Sequence, residues 1–156
     1  MSNFHTAITQ FLSQQQVDFR LLMHSTPATS IEDAAQQRGC LASQMVKSML
    51  LRDMGGRYAL ACVPGDLQAD PKKVRAILQC RRMTCVSAHE LENITGYSIG
   101  CVTPLLLPVA MPLFFDPLLL NHHELTISSG SNMAGIALKQ QDLLQLCAPI
   151  IADITR

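Results

Sequence analysis

Lys47 lies in the run Gln44-Met45-Val46-Lys47-Ser48-Met49-Leu50-Leu51, an ammonium among apolar side chains at the start of a strand-like segment. Such a lysine costs desolvation unless its head reaches water, a carboxylate or a phosphate. The alternative is a side chain that merely snorkels from the strand end. Two further stretches have residue types suited to a ligand. In Gly96-Tyr97-Ser98-Ile99-Gly100-Cys101-Val102-Thr103-Pro104 a glycine stands four residues before a proline. A loop of that kind can turn backbone N–H groups toward a ligand, or it is an ordinary turn. Ser128-Ser129-Gly130-Ser131-Asn132 offers hydroxyl and backbone donors after a strand, or only closes a hairpin. Signatures of other chemistries are missing: G-x-x-x-x-G-K-[ST], H-E-x-x-H, G-x-S-x-G and the dinucleotide fingerprint do not occur.

The elements that must position these residues are short. Phe4, Ile8, Phe11 and Leu12 recur at helical spacing, which predicts an amphipathic helix over residues 3–15, followed by a strand over 17–23. Ser30 with Asp33 resembles a capping box, and Gly39 a helix stop. Residues 46–52 and 58–63 read as strands joined through Met54-Gly55-Gly56-Arg57 into a hairpin. Asp70-Pro71 starts a helix running to about Gln79; a short strand covers 83–86; and Ser87 with Glu90 opens a helix that ends near Thr95. Strands follow at 113–115, 125–128 and 136–138, with a last helix over 141–147. Hairpin-linked strands and short helices without a regular βαβ rhythm predict an α+β fold with a mixed or antiparallel sheet, in one domain over residues 1–156.

Composition narrows the class. With 156 residues, 48% of them hydrophobic and 15% charged, the chain has enough apolar material for one core and none of the character of a disordered segment. No apolar run approaches the roughly 18–20 residues of a membrane span, and residues 104–115 carry three prolines. The N-terminus lacks the charged and apolar regions of a signal peptide, so a soluble cytoplasmic protein with no membrane partner is expected. Six cysteines show no C-x-x-C spacing, which favours free, mostly buried thiols over disulfides or a metal. His122-His123 is the one histidine pair, and neighbours in sequence point apart, so it reads as a polar loop. Net charge is zero but uneven: residues 47–82 hold eight bases against three acids, a net +5 balanced by −5 elsewhere. That segment is either a solvated face or a surface for a polyanion, and aromatics at 4% without Trp argue against a stacking platform.

Taken in order, these features resemble the YbaK/prolyl-tRNA synthetase editing-domain family over most of the chain. Val46-Lys47-Ser48-Met49-Leu50-Leu51 is similar to its lysine strand "K-T-L". Val63-Pro64-Gly65-Asp66 with Asp70-Pro71-Lys72-Lys73-Val74 is similar to "V-P-G-D … L-D-L-K-K-V", and Glu90-Leu91 through Pro104 to "E-L … T-G-Y-x-x-G-x-x-x-P". Asp116 and the turn from Ser128 to Gly130 fall where the family carries "D" after a strand and "S/A-G-G". Ser48-Met49 departs from Thr-Leu and Ser129 from Gly, the latter altering pocket shape.

The resemblance implies a compact α+β fold with a mixed, barrel-like sheet flanked by short helices. It also implies hydrolysis of the ester joining a wrong amino acid to the 3′ acceptor end of a mischarged tRNA, without a cofactor or metal. On this reading Lys47 and Gly100 carry catalysis: the lysine engages the terminal phosphate or ribose region, and the glycine lies in the loop of the aminoacyl pocket. Gly96, Tyr97, Cys101, Pro104, Ser128, Ser129 and Gly130 are the expected substrate-binding residues. An aminoacyl ester is already activated, so the site needs to position it and stabilise an oxyanion rather than supply a strong nucleophile. Substrates of Ala, Cys, Ser or Pro size are expected, with an aminoacyl-tRNA synthetase as a further partner. The alternatives are a non-catalytic module that binds tRNA ends or a synthetase, and a small-molecule hydrolase or lyase.

Overall fold

The computed structural model describes residues 4–156. Helix α1 (Ala7–Gln14) starts at Thr6, whose hydroxyl accepts from Thr9 N–H while Thr9 Oγ1 accepts from Thr6 N–H. Thr6 itself is extended, which is why the helix begins later than its apolar spacing predicts; residue 3 of the expected helix lies outside the described residues. Ile8, Thr9 and Leu12 are the residues α1 buries. Helix α2 (Ile31–Arg38) runs from a Ser30 cap to Gly39 in the left-handed region. Here the capping box is only half made: Ser30 accepts from Asp33 N–H, but the Asp33 carboxylate turns to Thr29 N–H instead. Asp70 caps α3 (Pro71–Leu78) and Ser87 caps α4 (Ala88–Thr95), with Gly96 closing the latter; α5 (Gln140–Cys147) is the last helix.

Among the described residues eight strands form two sheets. Strands β1 (Phe19–Met23), β6 (Glu124–Ser128) and β7 (Ala134–Lys139) make an antiparallel sheet in the order β1-β7-β6. The second sheet runs β4-β2-β3-β5-β8, from β2 (Val46–Asp53), β3 (Tyr58–Pro64), β4 (Met83–Cys85), β5 (Leu113–Phe115) and β8 (Ile150–Ile151). Its β2–β3 and β2–β4 pairs are antiparallel and its β3–β5 and β5–β8 pairs parallel, so it is mixed. A parallel bridge between Met45 and Thr126 joins the two sheets into the expected barrel-like arrangement. Ile8 and Leu12 of α1 belong to one buried apolar cluster with Val46, Leu50, Leu60, Phe115, Ile127 and Ile136. A second apolar cluster, with Leu51, Val63, Val74, Phe114 and Ile154, sits under α3.

Three local devices fix this frame. The β2–β3 turn is held by the buried Asp53 carboxylate, which accepts from the N–H groups of Gly55 and Arg57. Gly65 gives the start of β2 its support: its N–H donates to Ala42 O and Met45 O, and a Cβ there would lie 2.7 Å from Ala42 O. Asp116, 1% exposed, accepts from Leu118 N–H through Oδ1 and from Ile154 and Thr155 N–H through Oδ2. That carboxylate ties the C-terminal segment to the end of β5.

Between the two sheets one stretch of strand edge is left open. Strand β4 pairs with β2 only from Leu51 to Asp53, and the last bond of that seam is Val86 N–H to Leu50 O. At the other end the Met45–Thr126 bridge closes the gap. From Val46 to Leu50, β2 therefore has β3 on one side and no strand among the described residues on the other.

Candidate active site

That open edge is one wall of a cavity of about 260 Å³. Lys47, Ser48 and Met49 line it from β2, Ile31 and Arg38 from α2, Leu91 from α4, Ile99 and Gly100 from the following loop, and Ser128 from β6. Because the Leu50 carbonyl points along the open side, the backbone groups of Ser48, two residues away in the strand, point the same way. The Ser48 side chain shares a sheet face with its cross-strand partner Cys62, its Oγ 3.3 Å from Cys62 Sγ. No histidine or carboxylate lines the cavity, and its charged members are both cations.

Lys47 is half-buried, and loss of hydration lowers its pKa, while Asp66 and Glu32 draw it partway back. Among the described residues neither acid comes within ion-pair distance of it. Arg38 occupies the last turn of α2 and is likewise half-buried, with its pKa lowered by desolvation. Its Nε–H donates to His24 Nε2 at 3.1 Å and an Nη1 hydrogen to Thr126 Oγ1 at 3.3 Å. Accepting at Nε2 leaves the His24 proton on Nδ1, which donates to Asn132 O at 2.7 Å. The guanidinium crosses β7 at Gly135, where a Cβ would collide with Arg38 Nε and Cζ. It has no carboxylate partner among the described residues.

Of the residues singled out in the sequence, Lys47, Gly100 and Ser128 meet at this cavity. Gly100 is exposed at φ +81° with open space where a Cβ would be, so the left-handed backbone rather than close packing calls for glycine. The others frame the site without lining it. Gly96 ends α4. Tyr97 donates its hydroxyl to Leu105 O, and burial pushes its pKa up to about 12. Cys101 and Pro104 are buried in the same loop. Ser129 is fully buried and donates to Ala134 O at 2.6 Å. Gly130, at φ +91°, donates its N–H to Ser128 Oγ at 3.1 Å, which leaves the Ser128 hydroxyl proton free to be given elsewhere. Asp116 is away from the cavity, in the structural role described above.

Other expectations also meet the structure. All six cysteines are free, but only Cys62 and Cys101 are buried; Cys85 is exposed, because β4 is an edge strand. Burial pushes the Cys147 pKa up to about 12 and that of Cys62 higher still. His122 contacts Ser43 Oγ at 3.1 Å. Among the described residues no cluster of three or more His, Cys, Asp or Glu could hold a metal ion, and no helix is long and apolar enough to cross a membrane. Arg38 was not legible in the sequence: its placement depends on a glycine 97 positions later, and nothing local marks the pair.

Comparison with known proteins gives one consistent result. The family described as aminoacyl-tRNA editing domain matches residues 25–146. The multifunctional Ser/Thr-tRNA deacylase ProXp-y of Escherichia coli (strain K12) is 26% identical over 156 residues, covering 97% of this chain and 93% of that one. A proline--tRNA ligase of Bacillus licheniformis is 33% identical over 94 residues, 60% of this chain but 16% of the ligase. In fold, the chain is similar to the crystal structure of a provisionally assigned trans-editing enzyme for prolyl tRNA synthetase, with TM-score 0.85, 21% identity and 99% of both chains covered.

Proposed function

The chain belongs to the aminoacyl-tRNA editing domain family, and on that premise we propose that it is a deacylase that hydrolyses the ester of a tRNA mischarged with a small amino acid. The observation that carries this reading is the meeting of Lys47, Gly100 and Ser128 around one cavity on the open edge of β2. At about 260 Å³ the cavity lies below the roughly 300–1,000 Å³ usual for a drug-sized ligand, which suits an aminoacyl group. Lys47 and Arg38 give it two positive charges for the phosphate beside the terminal ribose. The Ser128 hydroxyl proton and the outward backbone of Ser48 supply hydrogen bonds to the amino acid. The chain's own share of the substrate selection is size and hydroxyl matching; one methylene is worth about 1–3 kcal/mol to a synthetic site, so a second, smaller site adds discrimination.

With no side-chain base in the cavity, the nucleophile is a water molecule, which the neighbouring ribose hydroxyl can orient. The oxygen of a water bonds to the ester carbon, charge gathers on the carbonyl oxygen, and backbone N–H groups of the Gly100 loop stabilise it. The bond to the ribose oxygen then breaks, that oxygen takes up the proton that the attacking water gives up, and the free amino acid and tRNA leave. The test is a panel of tRNAs charged with Ser, Thr, Ala, Cys and Pro. Release of at least one by the wild type, and a loss of about a hundredfold in kcat/KM for Lys47→Ala, is the expected result. Equal turnover by Lys47→Ala would sink the assignment, and binding without turnover across the panel would favour a non-catalytic module.

A further inference from the structure

A second cavity, of about 860 Å³, lies between α3 and β4 and is lined by several basic side chains. Lys72, Arg75, Arg82 and Arg156 line it, with Asp70 as its one acid. The Asp70 carboxylate is engaged in capping α3, accepting from Lys72 N–H at 3.0 Å. Among the described residues none of the four bases has an acidic partner, whereas Arg20, Arg52 and Lys73 are paired with Glu124, Glu90 and Asp153. Arg156 is brought there by a long-range device: Asp116 holds the neighbouring N–H groups of Ile154 and Thr155, and Arg156 N–H donates to Gln68 O. Four exposed cations without an ion-pair partner among the described residues, from α3, from the residue before β4 and from position 156, line one groove and can together attract a polyanion.

The basic groove and the cavity of Lys47 share a wall. Cys85, exposed on β4, lines both. It pairs with Leu51, four residues along β2 from Lys47, a separation of about 13 Å at ~3.3 Å per residue. A stacked strand covers that with roughly four nucleotides at ~3.4 Å each. We propose that the α3–β4 groove seats the phosphates of the tRNA acceptor end, so that the RNA strand crosses β4 at Cys85 and delivers its terminal aminoacyl ester to the open edge of β2. This rests on the deacylase reading for its choice of RNA, and it adds the direction from which the substrate arrives.

The experiment is a salt titration of binding to fluorescently labelled, uncharged tRNA, with a kinetic arm on mischarged tRNA. Arg75→Ala/Arg82→Ala is compared with Arg20→Ala/Lys139→Ala, which removes the same net charge from exposed positions on the other sheet. The groove variant is expected to bind about tenfold more weakly near 0.1 M salt. Its slope of log K against log salt should be shallower by about 1.4–1.8, the loss of two phosphate contacts. The control should match the wild type. In the kinetic arm KM rises with kcat unchanged, and hydrolysis of an aminoacyl ester of adenosine, which has no phosphate, is unaffected. Equal binding and slope in wild type and groove variant, equal weakening in both variants, or no binding by the wild type would each overturn the proposal. Groove-dependent binding without hydrolysis of any ester would leave the groove standing and remove the deacylase, so the two claims fail separately.

Discussion

Lys47 gives up hydration where β2 runs beside the cavity, and its pKa falls for that reason, with Asp66 and Glu32 opposing the fall. The folded protein therefore holds fewer protons than the unfolded chain between the lowered value and the ordinary 10.5, and stability increases as pH rises through that window. Binding runs the other way: the ammonium attracts phosphate below the lowered pKa and stops doing so as pH rises through it. Affinity for a non-hydrolysable aminoacyl-nucleotide analogue should accordingly begin to decline at a lower pH than an exposed lysine would dictate. Lys47→Met should abolish that pH dependence while raising the thermal midpoint; a binding curve that stays flat until the ordinary lysine range would contradict the assignment. This residue was legible in sequence because an ammonium inside Met-Val-Lys-Ser-Met-Leu is a local anomaly. Ser129 was not, because a serine in a turn looks the same whether its hydroxyl meets a ligand or, as here, Ala134 O.

The elements follow the same division between near and far. Helix limits at Ser30, Gly39, Asp70, Ser87 and Gly96 could be read because a cap and its partner lie within a few residues. Strand β8, only Ile150–Ile151, could not, since it exists by pairing with β5 far away in sequence. The crossing of Arg38 over β7 belongs to the same class. Gly135→Ala would place a methyl group where the guanidinium runs, and the flexible end that must give way is Arg38 itself. We expect deacylation to fall about tenfold in Gly135→Ala, close to the effect of Arg38→Ala. The double variant should be no worse than either, since both changes remove the same arrangement. Fully multiplicative losses in kcat/KM across the four proteins would show that Gly135 acts through something other than Arg38.

At the scale of the whole molecule, the Met45–Thr126 bridge that joins the two sheets comes one residue before β2, and the open edge beside it runs along β2 itself. The α+β class and most strand positions could be read from patterning, but the gap could not, because it is defined by where β4 stops pairing. Asp116, at the end of β5, accepts three N–H groups, two of them from the buried residues Ile154 and Thr155. Asp116→Ala strands those donors and should cost about 2–4 kcal/mol, read as a lower urea midpoint, with faster hydrogen exchange at Ile154 and Thr155. An unchanged midpoint would mean that the C-terminal segment is held by its packing alone. The gap in β2 has its own bearing on evolvability. Its span is set by hydrogen-bonded seams at both ends, so its aperture resists stretching to admit a bulkier guest. A descendant with a different taste must instead exchange the side chains facing the hole, Met49, Leu91 and Ile99 first among them, much as a sieve is altered by rethreading its mesh while the rim stays fixed.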